Sequence, residues 1–144
     1  MHVNLLGWRT SKPSQVNLQA GLQVIRYLIS TKENGLTIQK EATMEEYISI
    51  QGFAYASYGG EKSRSQSGSL ILLYNNPITW SSRRQDTVAM SIIEAKYIAC
   101  SETAKDIRWL QQLLQEITPQ KDVPAVMFVD NEAAIKLTKT QTFH

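Results

Sequence analysis

The chain has 144 residues, 42% of them hydrophobic, which suffices for one domain with its own core. Its 15 Lys and Arg residues nearly balance 13 Asp and Glu residues, so bulk charge does not require a polyanionic partner. The single cysteine, Cys100, excludes an internal disulfide, and two histidines are too few for the usual zinc spacings. Because the sequence shows neither a signal peptide nor a run of ~20 apolar residues, we expect an intracellular protein, cytoplasmic or nuclear, without a membrane partner.

The first half of the chain predicts one helix followed by three strands. Residues 15–31 have apolar side chains at spacings of three and four, which indicates an amphipathic helix. Residues 45–58 are rich in β-branched and aromatic residues and predict a strand. Residues 69–74 and 77–82 are two further β-forming runs, and the pair Asn75-Asn76 between them predicts a hairpin turn.

The second half predicts a long helix, a strand and a further helix. Apolar residues recur every three or four positions from about 91 to 117. Residues 125–129 form an uninterrupted apolar run, which favours a strand inside the sheet, and helical composition returns from Asn131. This order of elements predicts an α/β or α+β fold, in which a mixed sheet carries helices on its faces.

Several stretches of the chain resemble the ribonuclease H region of copia-type retrotransposon Pol polyproteins, in the order and spacing of that family. They are SQSGSLILL, PITWSSRRQDTVAMS, EAKYIACSETAKDIRWLQQLL and FVDNEAAIKL. The resemblance implies a ribonuclease H-like fold. It also implies a helical connection segment over residues 1–40, which in the family follows the reverse transcriptase. Residues 41–144 would then be the ribonuclease H-like domain, which we expect to be incomplete at its C-terminus because the family continues past this point.

The resemblance implies an enzyme that cleaves the RNA strand of an RNA·DNA hybrid with two Mg²⁺ ions held by carboxylates. The positions that match the family's first three carboxylates are Tyr55, Lys96 and Asp130, and Ser57 replaces a neighbouring acid. A phenol is a poor magnesium ligand. At an effective dielectric near 20, an ammonium ~4 Å from a divalent ion opposes its binding by up to ~8 kcal/mol, unless the side chain swings away. We therefore expect two-metal hydrolysis to be lost or very weak.

Two acidic residues remain as candidates for catalysis, Asp130 at the retained family position and Glu94 beside the substituted one. Asp130 is also the candidate metal ligand, since strand ends are the usual location of sites in such sheets. Each residue has a structural alternative. Asp130 suits the N-cap of the helix from Asn131, and Glu94, three residues after Ser91, completes a capping box whose carboxylate accepts from the N-cap amide.

Arg83 and Arg84 are the candidates for nucleic-acid binding. They follow Trp80 after the predicted hairpin, and an arginine with an aromatic alongside is common on surfaces that hold a phosphate backbone. Lys62 and Arg64 on the preceding loop add a little positive charge. The alternative is a solvated edge, which is what two arginines on an exposed turn more often form.

We expect a catalytically inactive fragment of a copia-type polyprotein with ribonuclease H-like architecture. The alternative is a non-catalytic binding module that keeps this fold and holds nucleic acid or a protein. A third possibility is a residual nuclease in which Asp130 and Glu94 hold one ion.

Overall fold

The computed structural model describes residues 6–7, 9–39, 48–60, 63–119, 122–132 and 135–136. The chain divides into two compact units, residues 1–37 and 38–144, whereas the sequence predicted a boundary between residues 40 and 41. The helices and strands are α1 (Gln15–Ser30), β1 (Ile50–Ser57), β2 (Gln66–Leu73), β3 (Asn76–Arg84), α2 (Ile92–Ile117) and β4 (Ala125–Val129).

The first unit contains the predicted N-terminal helix, α1. Ser14 is its N-cap, and the Ser14 hydroxyl accepts a hydrogen bond from the backbone N–H of Asn17. The helix ends at Thr31, whose backbone N–H donates to the Tyr27 carbonyl.

No described helix of the chain has the length and apolar content that crossing a membrane requires.

The second unit is built on a four-stranded mixed sheet with strand order β3-β2-β1-β4. Strands β1, β2 and β3 pair antiparallel, and β4 pairs parallel with β1. This mixed α/β architecture confirms the predicted fold class and is consistent with a ribonuclease H-like fold. The prediction that residues 125–129 lie inside the sheet is wrong for the described residues, in which β4 is an edge strand. The apolar residues of β4 are divided between the two faces of the sheet, since Met127 packs against the core while Phe128 is exposed.

The hairpin between β2 and β3 turns one residue earlier than predicted. Tyr74 and Asn75 both have positive φ, 49° and 58°, as the two central residues of a type I′ turn do. Asn76 is instead a buried strand residue. Its side-chain oxygen accepts from the Gln39 N–H at 2.7 Å, and its amide nitrogen donates to the Tyr74 carbonyl at 2.8 Å. The buried amide is therefore satisfied by the backbone of the turn at Tyr74 and by the backbone of the distant segment at Gln39.

Helix α2 covers one face of the sheet. Towards its C-terminus the contact is a cluster of large apolar side chains: Ile50, Ile71, Ile107, Leu110, Leu114 and Val123. Towards its N-terminus the contact is a cluster of small ones: Ala56, Ala89, Ala95 and Ala99. Buried Gln85 ties the end of β3 to this part of the helix, since its amide donates to the Ser67 hydroxyl and to the Ala95 carbonyl. The N-terminal half of α2 is thereby held close to β1.

Gly52 and Gly68 give a matched test of this packing. A Cβ at Gly52 would lie 2.5 Å from the terminal methyl of Ile107 on α2, whereas a Cβ at Gly68 meets nothing nearer than 3.9 Å. We expect Gly52→Ala to lower the free energy of unfolding by about 1 to 3 kcal/mol through overpacking. Gly68→Ala should leave it within about 0.5 kcal/mol of the parent value.

Urea unfolding of the two variants measures the difference. Both substitutions reduce unfolded-chain entropy alike, so that term cancels in the comparison. Equal stabilities of the two variants would contradict the close approach of α2 to β1.

Candidate functional site

Lys96 and Asp130, two of the residues that the resemblance matches to the family's carboxylates, form an ion pair. Lys96 lies in the first turns of α2, and Asp130 directly follows β4. The Lys96 Nζ atom is 2.6 Å from the Asp130 Oδ2 atom, and the Lys96 side chain is only 14% exposed. The ammonium therefore does not swing away from the site but contacts the one carboxylate that the family motifs retain.

This pair decides whether a divalent ion fits. The ammonium takes the cation position beside Asp130, and magnesium requires oxygen ligands that Lys96 does not supply. Among the residues that the structure describes, no group of three or more His, Cys, Asp or Glu side chains is placed to hold a metal. The donor set therefore does not fit the two-magnesium site that the resemblance implies. Because Asp130 is half exposed, solvent screening limits the pair to about 1 kcal/mol of stability.

Tyr55, which the resemblance matches to the family's first carboxylate, points away from α2. Along β1, Ala54 and Ala56 are buried beneath the helix, while Tyr55 between them is 54% exposed. Tyr55 and Asp130 line one open groove on the opposite face of the sheet. Asp130 borders both this groove and α2 because it stands just beyond the end of β4. The structure thus brings Tyr55, Lys96 and Asp130 to one corner of the sheet.

The Glu94 carboxylate is engaged at the start of α2. The Ser91 hydroxyl accepts from the Glu94 N–H at 3.1 Å, and Glu94 Oε2 accepts from the Met90 N–H at 2.6 Å. This is a reciprocal cap, but the amide that Glu94 reaches belongs to Met90 and not to the N-cap residue Ser91. A role of Glu94 in catalysis stays a prediction.

The N-cap alternative for Asp130 is wrong by one residue. The Ile135 N–H donates to the Asn131 carbonyl, so Asn131 holds the N-cap position of the last helical segment. Glu132, Ile135 and Lys136 are helical, and the remainder of the predicted helix lies outside the described residues. Asp130 is therefore left to pair with Lys96.

Arg83 and Arg84 do not form one patch, because successive residues of a strand point to opposite faces. The Arg83 Nε atom lies 3.6 Å from Glu102 Oε2 on α2. Arg84 is opposite Gln66 in the register, on the other face of the sheet. Arg64 is exposed, and Lys62 lies outside the described residues. Of the predicted arginine pair, Arg84 alone shares the groove's face.

Cys100 belongs to the same corner, which the sequence patterns did not reveal. It stands one helical turn after Lys96 and is buried. Burial and then the negative charge of Asp130 raise the pKa of the Cys100 thiol, while a backbone hydrogen bond and Lys96 act in the opposite direction. One feature of the sequence could have indicated this position. Cys100 follows Lys96 by four residues on a predicted helix, and residues at this spacing lie on the same face.

The raised pKa of Cys100 predicts a pH dependence of stability. The unfolded chain releases the thiol proton near pH 8.5, before the folded chain does. The contribution is therefore complete below about pH 8 and is lost as pH rises through the folded-state pKa. We expect the free energy of unfolding to fall more steeply above about pH 8 in the parent than in Cys100→Ala. Denaturant unfolding along this pH series measures the two slopes, and identical slopes would contradict the assignment.

Comparison with known proteins agrees with the motifs. No family model matches the chain. It is 31% identical over 99% of its length to the retrovirus-related Pol polyprotein from transposon RE1 of Arabidopsis thaliana. The counterpart from transposon TNT 1-94 of Nicotiana tabacum is 31% identical over 92% of the chain. Secreted RxLR effector protein 161 of Plasmopara viticola is 36% identical over 110 residues, which are 75% of each chain.

The chain belongs to the family of retrovirus-related transposon Pol polyproteins, which confirms the relationship that the motifs predicted. It spans 10% of the length of the two Pol polyproteins named above. The site described above therefore corresponds to a small part of these longer relatives.

Proposed function

We propose that this chain is the ribonuclease H-like segment of a copia-type Pol polyprotein and that it does not hydrolyse RNA·DNA hybrids. The observation that carries the proposal is the 2.6 Å contact between the Lys96 ammonium and the Asp130 carboxylate. This contact supports the proposal because it puts a positive charge beside the acid that the resemblance matches to a metal ligand of the family.

The proposal rests on the charge requirements of two-metal chemistry. Such a site needs several carboxylates around two divalent ions a few ångströms apart, which activate water and stabilise the leaving oxygen. Here one position carries the neutral phenol of Tyr55, a second carries a cation, and the third carboxylate is already paired. Glu94 is engaged in the helix cap. These contacts support a site that does not gather the two ions.

The second candidate is a non-catalytic module that holds RNA·DNA hybrid or other nucleic acid. One observation favours it, the presence of Trp80, Ser82 and Arg84 on the same face of β3, since alternate strand residues share a face. An aromatic ring and a guanidinium on one surface suit contacts to bases and phosphates.

Restoring the family's acids is the sharpest test of the inactive site. In Tyr55→Asp/Lys96→Glu, two carboxylates join Asp130, so we expect the variant to bind Mg²⁺ and to gain about 2.7 kcal/mol at a concentration 100 times its Kd. Thermal melting with and without Mg²⁺ measures this gain. The parent should show no shift in its melting temperature. Tyr55→Asp alone, which keeps the Lys96–Asp130 pair, is the matched control and should also show none. A magnesium-dependent shift in the parent would contradict the proposal.

A cleavage assay addresses hydrolysis itself. We expect a labelled RNA·DNA hybrid to remain intact when incubated with the purified parent chain and Mg²⁺ or Mn²⁺, because the ions have no ligand set. Cleavage by the parent that is lost in Asp130→Asn would overturn the proposal in favour of a residual nuclease. Cleavage that persists in Asp130→Asn would identify a contaminating enzyme.

A further inference from the structure

The side-chain amide of Asn76 holds one residue of a distant segment by both of that residue's backbone groups. The Gln39 N–H donates to the Asn76 Oδ1 atom at 2.7 Å, and the Asn76 Nδ2 atom donates to the Gln39 carbonyl at 3.0 Å. Two directly opposed residues of an antiparallel strand pair can exchange N–H and carbonyl bonds in the same reciprocal way. The Asn76 carboxamide therefore binds Gln39 as the backbone of a neighbouring strand would.

The hydrogen bonds fix the orientation of this amide. The Asn76 Nδ2 atom also donates to the Tyr74 carbonyl at 2.8 Å. The carbonyl oxygens of Gln39 and Tyr74 can only accept, so the side-chain nitrogen must face them and the side-chain oxygen must face the Gln39 N–H. Both donor hydrogens and the acceptor of the carboxamide are thus used. An ionised aspartate has the same shape but no hydrogen to donate.

The hairpin between β2 and β3 holds the Asn76 side chain ready for this contact. Asn76 lies opposite Leu73 in the register and directly follows the two turn residues with positive φ, Tyr74 and Asn75. It is buried, and its bond to the Tyr74 carbonyl restricts the side chain further. A group that is already ordered loses little conformational entropy when it binds a partner. The turn therefore lowers the cost of holding Gln39.

The segment that carries Gln39 gains little from apolar burial. Ile38, the first residue of the second unit, is 74% exposed, and Gln39 is exposed as well. Neither residue belongs to a helix or a strand. A stretch with few buried apolar contacts opens easily unless hydrogen bonds hold it. The contact with Asn76 also gives a physical reason for the observed boundary, because it ties Gln39 to the second unit, whereas the sequence assigned Gln39 to the preceding segment.

We propose that the Asn76 carboxamide is the anchor that fixes the point at which the chain enters the second unit. With the anchor broken, Ile38 and Gln39 separate from the hairpin and their backbone groups bond to water, while the strands of the sheet stay paired. This conformational role goes beyond the proposed function and uses neither Lys96 nor Asp130. Its failure would therefore leave the proposed loss of hydrolysis unaffected.

Amide hydrogen exchange of the full 144-residue chain, followed residue by residue by NMR, tests the anchor. In the parent we expect the Gln39 amide to exchange at least about tenfold more slowly than in an unstructured peptide, since exchange requires the contact to open. In Asn76→Ala this protection should be lost, while the amides of β1 and β2 keep theirs. An unprotected Gln39 amide in the parent, or equal protection in Asn76→Ala, would overturn the proposal.

Two substitutions of Gln39 form a matched pair that leaves Asn76 and the turn intact. Gln39→Pro removes the N–H that donates to Asn76, whereas Gln39→Ala keeps both backbone groups of the contact. We expect Gln39→Pro to lower the melting temperature by about 2 to 5 °C and Gln39→Ala to leave it within about 1 °C of the parent value. Equal melting temperatures of the two variants would contradict the anchor.

A double-mutant cycle separates the lost hydrogen bond from backbone strain, which a proline can also introduce. If the bond to Asn76 is the cause, Gln39→Pro should lower the melting temperature of Asn76→Ala by less than about half as much as it lowers that of the parent. An equal effect in both backgrounds would overturn the proposal, because strain alone would then explain the loss.

Asn75 provides a matched control on the turn itself. Asn76→Asp removes the hydrogens that bond to the carbonyls of Gln39 and Tyr74. The Asn75 side chain accepts from Gln51 Nε2 through its oxygen, which Asn75→Asp keeps, and aspartate tolerates positive φ as asparagine does. Asn76→Asp should therefore lower the melting temperature by at least about 2 °C more than Asn75→Asp. Equal losses in the two variants would contradict the donor role of Asn76.

Discussion

The candidate site of this segment is organised around one ion pair, between Lys96 and Asp130. In a metal-dependent nuclease, carboxylates repel one another until divalent ions arrive, and this unmet charge is what recruits the ions. Here the cation is the ammonium of Lys96, which lies in the first turns of α2. Alanine side chains and Gln85 hold this part of the helix close to the sheet. In the folded chain this ammonium lies 2.6 Å from the Asp130 carboxylate. In the function proposed above, the ammonium of Lys96 takes the position beside Asp130 that a divalent ion would need.

The same pair shapes the surface on the other side of the sheet. Asp130 lies beyond the end of β4, so it borders both α2 and the groove beside Tyr55. Among the described residues that line this groove, Asp130 is the only charged one, and it is paired with Lys96. The phenol that replaces the first carboxylate adds a ring to the exposed row of Phe53, Phe128 and Trp80.

Local patterns predicted the elements well, because helix caps and apolar periodicity act over a few residues. Ser91 starts α2 as its motif indicates, and the type of every predicted element agrees with the structure wherever residues are described. Properties set by partners distant in sequence were harder to predict. Whether β4 is an edge, whether Arg83 and Arg84 share a face, and whether Lys96 turns towards Asp130 all depend on register and packing. The sequence could not predict one further set of neighbours, since its members come together only when the strands pair: Phe53, Leu70, Trp80 and Phe128.

The most direct test of the site is a crystal structure of the parent chain soaked in Mn²⁺, with anomalous scattering used to locate the ion. If the ion pair replaces the metal, no anomalous peak will lie at Asp130, and the Lys96 Nζ atom will remain within hydrogen-bond distance of the Asp130 carboxylate. A Mn²⁺ peak bound by Asp130, with the Lys96 side chain displaced into solvent, would contradict this conclusion and restore a metal site to this segment.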